Sequence, residues 1–441
     1  MSQNKNLHVA IIGGGYAGMA AAVTLAASNV LVTVFESAKQ LGGRARGVQH
    51  NNVQIDNGQH ILLGCYHHTL QLIEQVGGNI EHDFVRLPLQ LILHNRFELK
   101  APHLPAPLHL LAGLLRSKGL VFGKRLRAAR FMLMLNRINF TLPHDISVLE
   151  LLRMHDQDDE LIRILWEPIC ISALNTPIHI ASAQVLLHVL RDSLNGLRSN
   201  SDMLLPRIDF TALFPERATE FVNQYKGTVL TACSVEAINP HGKEIKLITR
   251  STAESNAHTE LFSHVICASS PISAARLFRT VPQLALIAEQ IAGISHQPIY
   301  TVYLQYPEQV HLPQPMLGFD QCFAQWLFDK GQIAGQHGLI AAVISAQGSH
   351  QNLKHELLAQ KVAQEIYEQL GIMETPLWHK VIAEKSATFS CKTNLPRPSH
   401  TTPLANVLLA GDYTAGDYPA TLEGAVMSGI LCAKAIAATI Q

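Results

Sequence analysis

Charge is scarce in this chain, and neither sign prevails. Charged residues make up 15% of 441, with 34 Lys and Arg against 34 Asp and Glu. That balance leaves no global basic field of the kind nucleic-acid binders carry. Cysteine is sparse and unpatterned: seven residues (65, 170, 233, 267, 322, 391 and 432), odd in number and without a CxxC pair. A disulfide framework and a zinc ribbon are thereby excluded, no metal site is expected, and a reducing compartment is implied. Long apolar runs are missing too. The longest, 18–35, contains Thr, Ser and Asn and divides into a helix and a strand, so it predicts no membrane span. The opening MSQNKNLHVAIIGGG has an apolar run that ends in glycines, without an export-type cleavage site. A cytosolic protein is expected, with membrane contact left open.

What is present is a large globular chain. Hydrophobic residues make up 47% of the 441, enough to bury a sizeable core, and at about 150 residues per domain the length predicts two to three domains. There is no internal repeat and no low-complexity linker. The even charge balance conceals one biased segment. Residues 100–144 hold Lys100, Arg116, Lys118, Lys124, Arg125, Arg127, Arg130 and Arg137 and no acidic residue, which leaves the rest of the chain net −8. The segment is also rich in Leu, Phe and Met. Such a composition suits a helix pair lying on an anionic bilayer, or an ordinary helical subdomain whose arginines are solvated.

The first 60 residues carry the clearest chemical signal. LHVAIIGGGYAGMAAAVTLAASNVLVTVFES reads as strand, glycine turn, Ala-rich helix, strand. Gly13 allows the tight turn, Gly15 lets the backbone approach a pyrophosphate, and Gly18 permits close helix–sheet packing. The helix start at Tyr16 and Ala17 offers unpaired N–H groups to phosphate. Glu36 closes the second strand, where its carboxylate can accept both hydroxyls of an adenosine ribose. These features predict a dinucleotide site.

Two further stretches favour FAD over NAD. LGGRAR, at 41–46, has Gly43 to free the backbone and Arg44 to meet a second phosphate or stack on a flavin. Near the other end, VLLAGDYTAGDYPATLEGAVMSG brings a strand to Gly411 and Asp412 and opens a helix near Thr421. Asp412 is placed to bind a ribityl hydroxyl. The N–H groups around Thr421, Leu422 and Ala425 can face a flavin carbonyl that gains negative charge on reduction. Elements far apart in sequence would converge on one cofactor.

GGGYAG, LGGRAR and the GD…EGA.SG ending resemble the amine oxidase and phytoene desaturase group of FAD oxidoreductases. DNGQHILLGCY, at 56–66, is similar to the carotene-desaturase branch. LWEPICISALNTP, SAQVLLHVLRDSL and DMLLPRIDFTALFPERA resemble hydroxysqualene dehydroxylases, also called squalene-associated FAD-dependent desaturases. The resemblance covers residues 7–433 and is weakest at 253–263 and 307–350. It implies an α/β fold with a Rossmann-like discontinuous FAD-binding domain, a mixed-sheet substrate domain and a helical, membrane-facing subdomain. The expected FAD domain is 1–85, 226–276 and 381–441, and the expected substrate domain is 86–225 and 277–380, with 100–144 the membrane-contact segment. It further implies reductive removal of the hydroxyl of hydroxysqualene to give squalene, in hopanoid biosynthesis. An external flavin reductant, neighbouring squalene-pathway enzymes and the inner face of the cell membrane are the partners it suggests. Gly58, Gln59 and His60 fall in the loop that this family places near the flavin, and Val235 where backbone contacts reach adenine.

Loss of hydroxide needs a proton donor, and two residues are candidates. His60 could donate a proton or orient the alcohol, or simply pack against the flavin and brace its loop. Asp417, in TAGDYPA, could serve as the acid, or form an Asx-type turn or a helix N-cap. Tyr418, Trp166 and Glu167 could line the substrate site. Three rival functions remain: an isoprenoid desaturase taking hydride from its substrate, an amine or protoporphyrinogen oxidase, and a non-enzymatic prenyl-lipid escort.

Overall fold

The computed structural model describes residues 7–252 and 256–439. Residues 1–6, 253–255, 440 and 441, which fall within the expected FAD-domain ranges, lie outside the described residues, and with them the start of the amino-terminal stretch read for export.

The strand His8–Ile12 is followed by the helix Tyr16–Ala27 and the strand Leu31–Phe35, pairing in parallel with His8–Ile12. Four Ala and one Gly in the helix's first seven residues keep it thin, so it is buried on nearly every side. It is pressed between the sheet and the helix Leu422–Ala437. Three more parallel strands complete the sheet. Thr228–Leu230 flanks Leu31–Phe35, while His264–Cys267 and then Val407–Leu409 extend the other side of His8–Ile12. Residues from four distant parts of the chain therefore build one Rossmann-like layer.

Cys233–His241 pairs with Glu244–Ser251 as an antiparallel hairpin set apart from the parallel sheet. The backbone turns at Ala232 (φ 51°), which separates Thr228–Leu230 into the parallel sheet. A third strand, Ala257–Phe262, joins the hairpin where the sequence offered little signal.

Seven strands make the second sheet, in the order 378–389, 296–305, 339–345, 326–329, 316–318, 90–93, 97–100. All neighbours are antiparallel except 316–318 with 90–93. Helices between 108 and 194 cover part of this half. The helix Pro215–Gln224, assigned by sequence to the substrate domain, packs instead on Tyr16–Ala27, with Phe214, Ala218 and Val222 in the same core cluster as Val32.

Residues 100–144 form the expected pair of helices, Leu108–Arg116 and Phe122–Arg137. Half of the segment's positive charge is paired: Lys124 with Asp158 and Glu160, Arg127 with Asp158, and both Lys100 and Lys118 with Glu98. No described helix is long and apolar enough to cross a membrane.

Candidate active site

One cavity of about 650 Å³ runs between the two sheets. Of the expected cofactor residues, Gly13, Gly15, Tyr16, Ala17, Glu36, Gly43, Arg44, Gly58, Gln59, His60, Val235, Gly411, Asp412, Thr421, Leu422 and Ala425 all line it. Gly18 lies behind the wall, where a Cβ would come within 1.9 Å of the Gly13 carbonyl oxygen. That is the packing role its spacing suggests.

Glu36 is held rigidly. Its Oε2 accepts from Gly14 N–H at 2.7 Å and its Oε1 from Ala38 N–H at 2.7 Å. The Ser37 hydroxyl also donates to Oε1 at 3.3 Å, but this exposed rotor can turn away and leave two of the carboxylate's roughly four acceptor positions for hydroxyl groups. Gly15 and Gly43 face each other across the turn, a Cβ on Gly15 lying 3.9 Å from Gly43 Cα, so backbone rather than side chain borders the cavity here. Thr421 caps the last helix, its hydroxyl accepting from Gly424 N–H at 3.1 Å. Leu422 stands in the first turn, where N–H groups have no intrahelical acceptor. The residues present fit FAD: a ribose-accepting carboxylate, an open glycine cradle and a helix N-terminus border one cavity.

Arg44, expected to meet a phosphate or stack on the flavin, and Asp412, expected to bind a ribityl hydroxyl, are joined to each other. Arg44 Nη2 lies 2.6 Å from Asp412 Oδ1, and its Nη1 donates to Ala387 carbonyl at 2.6 Å. The 368 residues between them hide this pair from any local reading.

The loop carrying Gly58, Gln59 and His60 rests on buried polar groups. Asp56 Oδ1 accepts from Phe210 N–H at 2.9 Å, and its carbonyl accepts from Tyr303 hydroxyl at 3.0 Å. Burial, opposed by Lys330, raises the Asp56 carboxyl to about 7. Burial likewise lowers Lys330, whose Nζ lies 3.5 Å from Gln59 Oε1. His60 Nδ1 lies 3.0 Å from Gly58 carbonyl. Burial lowers its pKa from 6.5 to about 4, with Arg44 adding to the effect. The ring is therefore neutral at pH 7, which suits bracing the loop and is unfavourable for an imidazolium acid. The folded form binds fewer protons than the unfolded chain between pH 6.5 and about 4, so the stability present above that window is lost as pH falls through it. In thermal melts over this range, His60→Asn is expected to lose less stability than the wild type.

Asp417 is placed on the surface, its side chain 63% exposed and 3.8 Å from His188. It is absent from the cavity lining. Glu167 is likewise off the lining, with its carboxyl raised by burial. Trp166 and Tyr418 do line it. Sequence reasoning did not name the residues of the cavity's apolar arm, which is walled by Leu91, Leu99, Leu110, Leu114, Met132, Leu165, Leu190, Leu194, Met316, Trp326 and Phe328. Strand alternation marks several of these as inward-facing, but not what they enclose.

The model of the flavin containing amine oxidoreductase family matches residues 16–437. The chain belongs to that family. As a flavin containing amine oxidoreductase it is an FAD-dependent enzyme. It is similar to hydroxysqualene dehydroxylases of Zymomonas mobilis (24% identical, covering 95% of this chain and 96% of that one) and Rhodopseudomonas palustris (26%, covering 97% of each). The maize zeta-carotene desaturase is 24% identical over 97% of this chain and 83% of its own length. Among solved structures, the cyclohexylamine oxidase of Brevibacterium oxydans superposes with a TM-score of 0.70 at 18% identity, covering 98% of this chain and 99% of that one. This likeness shows the shared mixed α/β fold of the amine oxidoreductases.

Proposed function

We propose that this flavin containing amine oxidoreductase removes the hydroxyl of hydroxysqualene reductively, giving squalene and water. The observation that carries the reading is the arm of the cavity, continuous with the FAD-holding residues and walled by Leu, Met, Trp and Phe. Leu, Met, Trp and Phe dominate this wall, and Glu384 is the one carboxylate on the described cavity lining besides Glu36 and Asp412, so a long hydrocarbon suits most of its length. The likeness to hydroxysqualene dehydroxylases extends over nearly the whole chain and supports the same reading.

Reduced FAD supplies a hydride in such a reaction. The chain's own contribution is to orient the substrate and keep it dry. An allylic cation left by loss of the hydroxyl is open to recapture by water, and the apolar walls exclude water from its neighbourhood. An external reductant is required to renew the cofactor.

The test is anaerobic. Enzyme bleached with dithionite is mixed with hydroxysqualene in detergent, and the oxidised flavin band should return as squalene forms. If the band stays bleached while a polyene reduces the oxidised enzyme, the chain is a desaturase and the reading fails.

We also propose that residues 100–144 rest on the inner face of the cell membrane, since a squalene-type substrate must be loaded from lipid. Leu108, Leu115, Val121, Phe122, Leu133 and Ile138 are exposed on this helix pair, beside Arg116, Arg125, Arg130 and Arg137. Leu110, Leu114 and Met132 of the same helices line the cavity arm. Each basic residue near an anionic surface contributes about 1 kcal/mol. Changing the four arginines to Gln should weaken sedimentation with phosphatidylserine vesicles at least tenfold and leave phosphatidylcholine vesicles unaffected. An unchanged phosphatidylserine affinity would remove this surface from consideration.

A further inference from the structure

Tyr418 lines the cavity four positions before Leu422, on the segment that leads into the helix facing the cofactor residues. Its hydroxyl donates to Asp192 Oδ2 at 2.9 Å across 226 residues of sequence. The other carboxylate oxygen, Oδ1, accepts from Arg191 Nε at 2.7 Å. Asp192 is 24% exposed, so solvent reaches the outer end of this pair while Tyr418 occupies the inner end. Arg397 Nη1 donates to the Tyr418 carbonyl at 2.8 Å and fixes the segment.

Three other polar side chains are committed elsewhere. His60 is neutral and turned to Gly58. Asp417 is on the surface. Ser201 donates to Arg198 carbonyl at 2.7 Å and meets His109 Nε2 at 3.0 Å. The single Tyr418 proton lies toward Asp192, and it turns to the alcohol oxygen once Asp192 has taken a proton from solvent and donates that to the phenol oxygen in its place.

On the dehydroxylase reading, the geometry points to Tyr418 as the catalytic group that binds the alcohol oxygen and protonates it on departure, with Asp192 positioning Tyr418 and restoring its proton from solvent. The Tyr418 proton passes to the hydroxyl oxygen as the C–O bond breaks, and both bonding electrons leave with oxygen as water. A proton taken from solvent through Asp192 replaces the one lost, so both residues end unchanged. The allylic cation that remains gains two electrons and a hydrogen as hydride from the reduced cofactor. The Asp192 carboxylate behind the phenol favours the positive charge while it lasts.

The FAD-loaded full chain, Tyr418→Phe and Asp192→Asn are compared on hydroxysqualene and on the corresponding allylic chloride, which departs without a proton. Positioned acids contribute roughly 10²–10⁴-fold. Tyr418→Phe should slow flavin reoxidation by the alcohol within that range and by the chloride only a few-fold. Asp192→Asn should show the same split more weakly. Equal losses on both substrates, or no loss on the alcohol, would overturn the assignment.

Binding to the oxidised enzyme, where no turnover occurs, gives a second readout. The wild type should hold hydroxysqualene about tenfold more tightly than squalene, the worth of one hydrogen bond, in displacement of a fluorescent polyene. Tyr418→Phe should hold both alike, and a preference that survives the substitution rejects the proposal. Should reduced wild type leave the alcohol intact, the dehydroxylase reading fails, while the binding comparison still decides whether Tyr418 recognises a hydroxyl.

Discussion

Glu36→Ala is expected to purify almost free of flavin. The carboxylate is fixed from behind by the N–H groups of Gly14 and Ala38, each at 2.7 Å, and its remaining acceptor positions border the cavity. Hydrogen bonds to a charged acceptor are worth about 1.5–3 kcal/mol each. Two ribose hydroxyls would therefore lose roughly 10²–10⁴-fold in affinity with the carboxylate gone. Reconstitution of the apoprotein with FAD, followed by quenching of flavin fluorescence, measures this directly. Glu36→Gln, which still accepts hydrogen bonds but without charge, should fall between Ala and wild type. An unchanged affinity in Glu36→Ala would mean that the side chain only braces the Gly14 turn.

Gly429→Ala should be severely damaging for a single added methyl group. Gly429 lies in Leu422–Ala437 where that helix crosses Tyr16–Ala27, and an added Cβ would sit 2.1 Å from the Ala17 carbonyl oxygen. The obstacle is backbone, so the helices must separate. Overpacking a tight core costs about 1–3 kcal/mol even where side chains can yield. Both helices border the cavity through their first turns, Tyr16 and Ala17 on one and Leu422 and Ala425 on the other. The variant should thus lose thermal stability and flavin content together. Gly123→Ala is the control, since nothing lies within 4 Å of a Cβ there. Helix propensity makes that change neutral or stabilising by up to about 1 kcal/mol. A Gly429→Ala protein as stable and as yellow as Gly123→Ala would contradict the packing argument.

The parts of the site that sequence could show are those whose chemistry is local. Gly13, Gly15, Gly18 and Glu36 fall within one strand–helix–strand unit, so their spacing alone implies the turn they make. Thr421 was legible as a helix start because a hydroxyl N-cap precedes an apolar run. The pairings that cross the chain were not legible. Arg44 with Asp412 and Tyr418 with Asp192 depend on how distant segments dock, and no periodicity encodes that. Asp417 drew attention as a carboxylate in a suggestive position, but it turns to solvent while its neighbour Tyr418 faces inward. In the segment 100–144, the absence of acidic residues was visible in composition, whereas the neutralising partners Glu98, Asp158 and Glu160 come from flanking parts of the chain.

The strand order 228–230, 31–35, 8–12, 264–267, 407–409 has a consequence for synthesis on the ribosome. The unit His8–Phe35 is synthesised well before the strand Val407–Leu409 that completes one edge of its sheet and before the helix Leu422–Ala437 that packs on Tyr16–Ala27. Until then the apolar faces of His8–Ile12 and Tyr16–Ala27 are uncovered. Late, long-range closure of this kind slows folding and exposes surface that aggregates. The cavity lacks Asp412 and Thr421 until those late segments are made, so flavin added during expression is expected to raise soluble yield by acting on chains that already contain them.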